Sequence, residues 1–172
     1  MQGYVQVYTG DGKGKTTAAL GLALRAAGAG LRVYIGQLIK NAEYSELRSL
    51  ERLADQITVQ RFGRGCFLLT EPTPEDREAA RAGLEGLTRA MTSGQYQVVI
   101  ADEANVAVAL GLLTEQDLID LIDSRPPGVE LVLTGRGAPA GVIARADLVT
   151  EMRAVKHYYE DQGCTARKGI ES

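Results

Sequence analysis

A chain of 172 residues with a formal net charge of -3 is the size of one domain, residues 1–172, and can bury a proper core. The acidic balance argues against a general nucleic-acid binder, which needs a basic face. Asp11, Lys13 and Lys15 interrupt the start, so no signal peptide is expected, and no stretch is long and apolar enough to cross a membrane; a soluble cytoplasmic protein follows.

Tyr4, Val5, Val7 and Tyr8 favour an extended segment, Gly10-Asp11-Gly12-Lys13-Gly14 cannot continue it, and Thr16 opens a helical run rich in Ala and Leu. Glycines let such a loop turn tightly and point successive N–H groups inward at a helix N-terminus, where the partial positive charge sits. That is a polyphosphate site. Lys15 would bring a cation to the phosphate oxygens, and the Thr16 hydroxyl would be a ligand for the accompanying magnesium. The expected nucleotide-binding residues are Gly10, Asp11, Gly12, Lys13, Gly14, Lys15, Thr16 and Thr17. The pattern G-x-x-x-x-G-K-[ST] holds except at its first glycine, which is Thr9 here. A mere glycine-rich turn is the alternative, and the flanking strand and helix weigh against it.

Residues 26–30 stop the first helix, and residues 32–37 read as a second strand. A loop over residues 38–44 leads to Ser45, which can cap a helix with Leu47, Leu50, Leu53 and Ala54 on one face; residues 57–60 are a third strand. Lys40, Glu43 and Glu46 fall just past the second strand, either at a ligand site or on a solvated loop. Phe62 and Phe67 stand beside glycines in a loop, so they either fold back on the core or form the apolar wall of a pocket. Thr73, Pro74, Glu75 and Asp76 mark the start of a helix whose buried stripe is Leu84, Leu87 and Met91.

Residues 97–103 form an apolar strand that ends in two carboxylates, Asp102 and Glu103. At the C-terminal edge of a parallel sheet they would lie beside the phosphate loop, where a metal-nucleotide needs oxygen ligands; the alternative is that they cap the next helix. Residues 114–117 begin another helix, with Leu118, Leu121 and Ile122 inward, and residues 130–134 are a fifth strand. That strand runs into Gly135-Arg136-Gly137, where the backbone or the Arg136 guanidinium can approach a ligand closely. Residues 138–144 read as a short helix and residues 147–152 as a sixth strand; the tail from 153 to 172 is a flap or a subunit contact. Cys66 and Cys164 read as two thiols, and the lone His157 as a surface or packing residue.

Strands and helices alternating in this way predict a three-layer α/β fold of the phosphate-loop NTPase kind, RecA-type, with a mainly parallel sheet of about six strands. The residues alone reach a magnesium-nucleoside triphosphate site and stop there. A RecA-type ATP hydrolase, a small-molecule kinase and a nucleotide sensor all remain open.

The assembled motifs resemble one family in particular, the phosphate-loop ATP:corrinoid adenosyltransferases that make adenosylcobalamin. The resemblance rests on TGDGKGKTTAALG at residues 9–21 with Arg25 beyond it, including the missing first glycine. It extends through IGQLIK at 35–40, VVIADEAN at 98–105, RPPGVELVLTGRG at 125–137 and ADLVTEMRAVKH at 146–157. It implies that cobalt(I) of a reduced corrinoid, cobalamin or an earlier one such as cobyrinic acid diamide, attacks the 5'-carbon of ATP and triphosphate leaves. It further implies Lys15, Thr16 and Glu103 as catalytic residues, and Thr16 and Glu103 as ligands of Mg2+ (or Mn2+). Arg25 and Arg136 join the nucleotide site, while Phe62 and Phe67 serve as the apolar wall under the corrin. A homodimer and a flavoprotein reductase that delivers the electron complete the picture.

Overall fold

Apolar runs without alternation pack as parallel strands covered on both faces. The computed structural model describes residues 1–39, 45–63 and 71–170, and among them six strands form one sheet. They are β1 (Val5–Thr9), β2 (Val33–Gln37), β3 (Ile57–Arg61), β4 (Val98–Asp102), β5 (Glu130–Thr134) and β6 (Leu148–Glu151). Their order is β3-β2-β4-β5-β1-β6, and every pairing is parallel. The helices are α1 (Lys15–Gly28), α2 (Ser45–Leu50), α3 (Pro74–Thr92), α4 (Ala104–Ala109), α5 (Glu115–Asp123), α6 (Ala140–Arg145) and α7 (Tyr158–Gln162). The expected three-layer α/β architecture is therefore the one the chain adopts.

Successive residues of a strand point to opposite faces, which divides the core in two. Val33, Ile35, Val98, Ile100 and Val132 face α1, which meets them with Ala19, Ala23, Ala26 and Ala27. A helix face of single methyl groups can lie close to the sheet, and this fixes where the N-terminus of α1 points. Tyr34, Val99, Ala101, Leu131 and Leu133 face the other way, onto Leu87 and Met91 of α3, Leu118 and Leu121 of α5 and Val142 of α6. Full burial of each such aliphatic side chain contributes about 1.5–3 kcal/mol, so the two inner faces supply the main driving force for the fold.

The helix starts read from the sequence hold for α3 and α5. The Thr73 hydroxyl accepts the Asp76 N–H and the Asp76 carboxylate accepts the Thr73 N–H, and Thr114 and Asp117 repeat the arrangement. Other expectations need correction. Ser45 is the first residue of α2, which ends at Leu50 and tightens into a 3-10 turn at Glu51–Leu53, so Ala54 is exposed and of the supposed stripe only Leu50 is fully buried. Glu103 stands at the N-cap of the short helix α4 but makes no side-chain capping hydrogen bond there. In the tail, His157 accepts the Tyr159 N–H at its Nδ1 and so caps α7, a structural role. No helix among the described residues is long and apolar enough to cross a membrane.

Candidate active site

The C-terminal edge of the sheet gathers the ends of β1, β2, β4 and β5, and the site is built there. β1 ends at Thr9, and the chain turns at Gly10 with φ 92° and again at Gly14 with φ 123°, both in the region glycine enters freely. Thr9 itself stays in the strand. Its carbonyl accepts the Met152 N–H at 2.8 Å, and its buried hydroxyl accepts the Ala138 N–H at 3.2 Å. The first glycine of the phosphate-loop pattern is dispensable because the turn begins one residue later, where a glycine stands.

The segment leaving β6 is packed against the loop. The Gly12 N–H donates to the Met152 carbonyl at 2.7 Å, so this amide holds the loop to β6 and does not face a ligand. A Cβ on Gly12 would lie 2.7 Å from the Arg153 carbonyl carbon and 2.8 Å from the Met152 oxygen, closer than any real side chain sits. Gly12→Ala is expected to destabilise the protein by about 1–3 kcal/mol, because backbone on both sides must move. Thermal unfolding and ATP titration check this; an unchanged melting temperature would mean that the segment yields freely.

Lys15 opens α1, and its Nζ donates to the carbonyls of Gly10 at 2.7 Å and Gly12 at 2.8 Å. Burial pushes its pKa below the usual lysine value and the Arg136 charge pushes the same way, while Glu103 and Asp11 oppose. These four side chains therefore share one electrostatic neighbourhood, and a polyanion placed there would relieve the opposition between the two cations.

The second half of the site is centred on Asp102, buried at the end of β4. Its Oδ1 accepts the Thr16 hydroxyl at 2.9 Å and the Thr134 hydroxyl at 2.8 Å, and its Oδ2 accepts the Gln37 Nε2 at 3.2 Å. Glu103 follows in the left-handed region with φ 62°, alone among the described non-glycine residues, and its N–H donates to the Thr134 Oγ1 at 2.9 Å. Such a conformation costs about 1–3 kcal/mol and persists where the surroundings hold it. The bend prevents the strand from continuing and sends the Glu103 side chain away from the line of β4.

Comparison with known proteins gives the family. The sequence profile of the family described as ATP:corrinoid adenosyltransferase BtuR/CobO/CobP matches residues 1–172. A corrinoid adenosyltransferase of Pseudomonas aeruginosa is 34% identical over 171 residues, which cover 99% of this chain and 84% of that protein. One from Escherichia coli K12 is 33% identical over 170 residues, covering 99% and 86%, and the corrinoid adenosyltransferase CobA of Salmonella typhimurium is 34% identical with the same coverage. The chain belongs to the ATP:corrinoid adenosyltransferase family. Members of this family transfer the adenosyl group of ATP to reduced corrinoids in cobalamin biosynthesis, and ATP and a corrinoid are accordingly the substrates. The hydrolase, kinase and sensor readings are thereby set aside.

Within the adenosyltransferase, the residues expected at the site fall into three groups. Lys15, Thr16, Asp11, Glu103 and Arg136 come together with Gly10, Gly12 and Gly14, and Lys13 and Thr17 stand exposed on the loop and the first turn of α1. Arg25 does not join them. It is exposed in the last turn of α1, about 15 Å along the helix from Lys15 at 1.5 Å per residue, where its charge suits the helix C-terminus. Phe62 is partly buried with its ring over α3, so that a Cβ on Gly86 would lie 2.7 Å from its Cζ; of its two readings, packing on the core is the one these contacts describe. Phe67, Cys66, Lys40 and Glu43 lie outside the described residues.

The donor set suits a hard cation. Thr16 and Asp102 offer oxygen atoms, and the buried Gln37 Oε1 has no hydrogen-bond partner. Among the described residues no three carboxylate, histidine or cysteine side chains cluster. Gln37 and Thr134 were not singled out from the sequence. The signal that could have found them is a polar residue closing an apolar strand, as in VYIGQ and ELVLT.

Proposed function

We propose that residues 10–14 and the first turn of α1 grip the triphosphate of ATP as one unit while the 5'-carbon is presented to the cobalt of the corrinoid. One observation carries this: a glycine-bounded loop at a helix N-terminus, a lysine folded over it, and a threonine hydroxyl bonded to a buried carboxylate meet at one sheet edge. In the transfer the cobalt(I) electron pair makes the cobalt–carbon bond, the bond between the 5'-carbon and its oxygen breaks, and that pair leaves with triphosphate. Cobalt ends two electrons more oxidised. The nucleophile carries no proton, so no general base is required.

Negative charge grows on the departing oxygen. Lys15 exchanges the Gly10 and Gly12 carbonyls for phosphate oxygens and stabilises that charge, and Arg136 adds a second cation. Thr16 and Glu103 would hold Mg2+ (or Mn2+), with the buried Asp102 orienting the Thr16 hydroxyl, and the ion would supply Lewis-acid neutralisation of phosphate oxygens. Phe62 packs on α3 and the core, and the apolar wall beneath the corrin that keeps water from the cobalt is assigned to Phe67. Two copies associate as a homodimer, and the exposed Leu148 and Val149 on the edge strand β6 are surface such a contact would cover. A flavoprotein reductase supplies the electron in the cytoplasm, where ATP is made.

Incubation with ATP, magnesium and chemically reduced cobalamin tests the reading. The expected products are a cobalt–carbon bond and intact triphosphate; ADP or orthophosphate, with no alkylated corrinoid, would overturn it.

A further inference from the structure

Thr134 takes part in both acids' positions at once. It is fully buried at the end of β5, the strand between β1 and β4, and it pairs in register with Tyr8 two residues before Gly10. Its hydroxyl donates to the Asp102 Oδ1 at 2.8 Å and accepts the Glu103 N–H at 2.9 Å, so both the direction of its proton and its lone pair are committed. The Asp102 oxygen that it holds is the same one that accepts the Thr16 hydroxyl. The amide that it holds belongs to the residue forced into the left-handed region. A buried hydroxyl with fixed donor and acceptor partners makes a rigid bracket, and the strain at Glu103 needs such a bracket.

We propose that Thr134 is a positioning residue of the adenosyltransferase: one hydroxyl aims the Asp102 carboxylate at Thr16 and keeps the Glu103 backbone bent, so that the two acids and Thr16 are preset for the metal-nucleotide. The inference rests on the metal-nucleotide reading above. It predicts a defect in the metal-dependent part of nucleotide binding, which general loss of packing would not single out. Outer partners of metal ligands typically affect affinity or activity by about 10–100-fold.

The experiment titrates ATP into the protein by calorimetry, once with magnesium chloride and once with a chelator, without corrinoid. Thr134→Val keeps the shape and removes the hydroxyl, Thr134→Ala removes both, and Thr134→Ser keeps the hydroxyl alone. The Val and Ala variants are expected to lose about 10–100-fold of the affinity gained from magnesium while binding ATP in chelator as the parent does, and Ser is expected to stay within about threefold of the parent. Turnover should follow with a fall in kcat larger than any rise in KM. A Val variant that keeps the full magnesium gain overturns the proposal, as does a Ser variant as impaired as Val, which would show that a hydroxyl at this position does not restore the site and assign the effect to packing. Should Val fail to fold, the contrast of Ala with Ser carries the same decision. If the parent gains nothing from magnesium, the metal-nucleotide reading falls as well, so the two failures are told apart.

Discussion

Replacing Lys15 with alanine is expected to lower turnover about a thousandfold, equivalent to roughly 4 kcal/mol of transition-state stabilisation. The reason lies in how the reaction moves charge. Attack at carbon pushes a full negative charge onto the departing triphosphate, and Lys15 is the cation whose Nζ already lies against the loop carbonyls of Gly10 and Gly12. Its charge is disfavoured by burial and by Arg136, and favoured by Glu103 and Asp11. Both penalties are relieved when phosphate oxygens replace the carbonyls, so the interaction strengthens as the leaving group becomes more anionic. An interaction of that kind acts on kcat; one that favoured substrate and transition state equally would act on KM alone. Steady-state kinetics with ATP varied at saturating reduced corrinoid distinguish the two, and a defect confined to KM would remove Lys15 from the catalytic step.

Asp102→Asn separates charge from architecture. Asparagine can keep an oxygen toward the Thr16 and Thr134 hydroxyls, which bond to the same Oδ1 of the aspartate. Its amide group would then face the Gln37 Nε2, but Gln37 carries a buried Oε1 with no partner and can turn over to accept it. The hydrogen bonds therefore balance, and the melting temperature is expected to change by no more than about 3 °C. Turnover is expected to fall about a hundredfold, because a neutral amide oxygen does not balance the cation beside Thr16. A large loss of thermal stability with little loss of turnover would make Asp102 a strut of the sheet edge.

Much of the fold is legible in the sequence because its causes are local. The Gly10 to Gly14 loop, the capping residues Thr73 and Thr114, and the uninterrupted apolar runs ending at Asp102 and Thr134 each act through neighbours within a turn or along a strand. Where local causes conflict, the reading is less good. The stripe over Leu47, Leu50, Leu53 and Ala54 matches a helix, yet tertiary packing keeps only Leu50 fully buried and the segment tightens after it. Arg25 shows a different limit. A motif places it near Lys15 in the chain, and the rise of the intervening helix carries it away from the loop.

The sequence by itself determined a phosphate loop on a parallel α/β sheet, the two acids at the end of β4, and membership of the corrinoid adenosyltransferases. Tertiary structure alone decided that Asp102 meets Thr16 across 86 residues, Gln37 across 65 and Thr134 across 32, and that Met152 fastens the Gly12 amide. The difference is physical. Strand and helix preferences are set by adjacent side chains, whereas the partners of a buried carboxylate are set by which strands become neighbours, and that order emerges only when both faces of the sheet are packed.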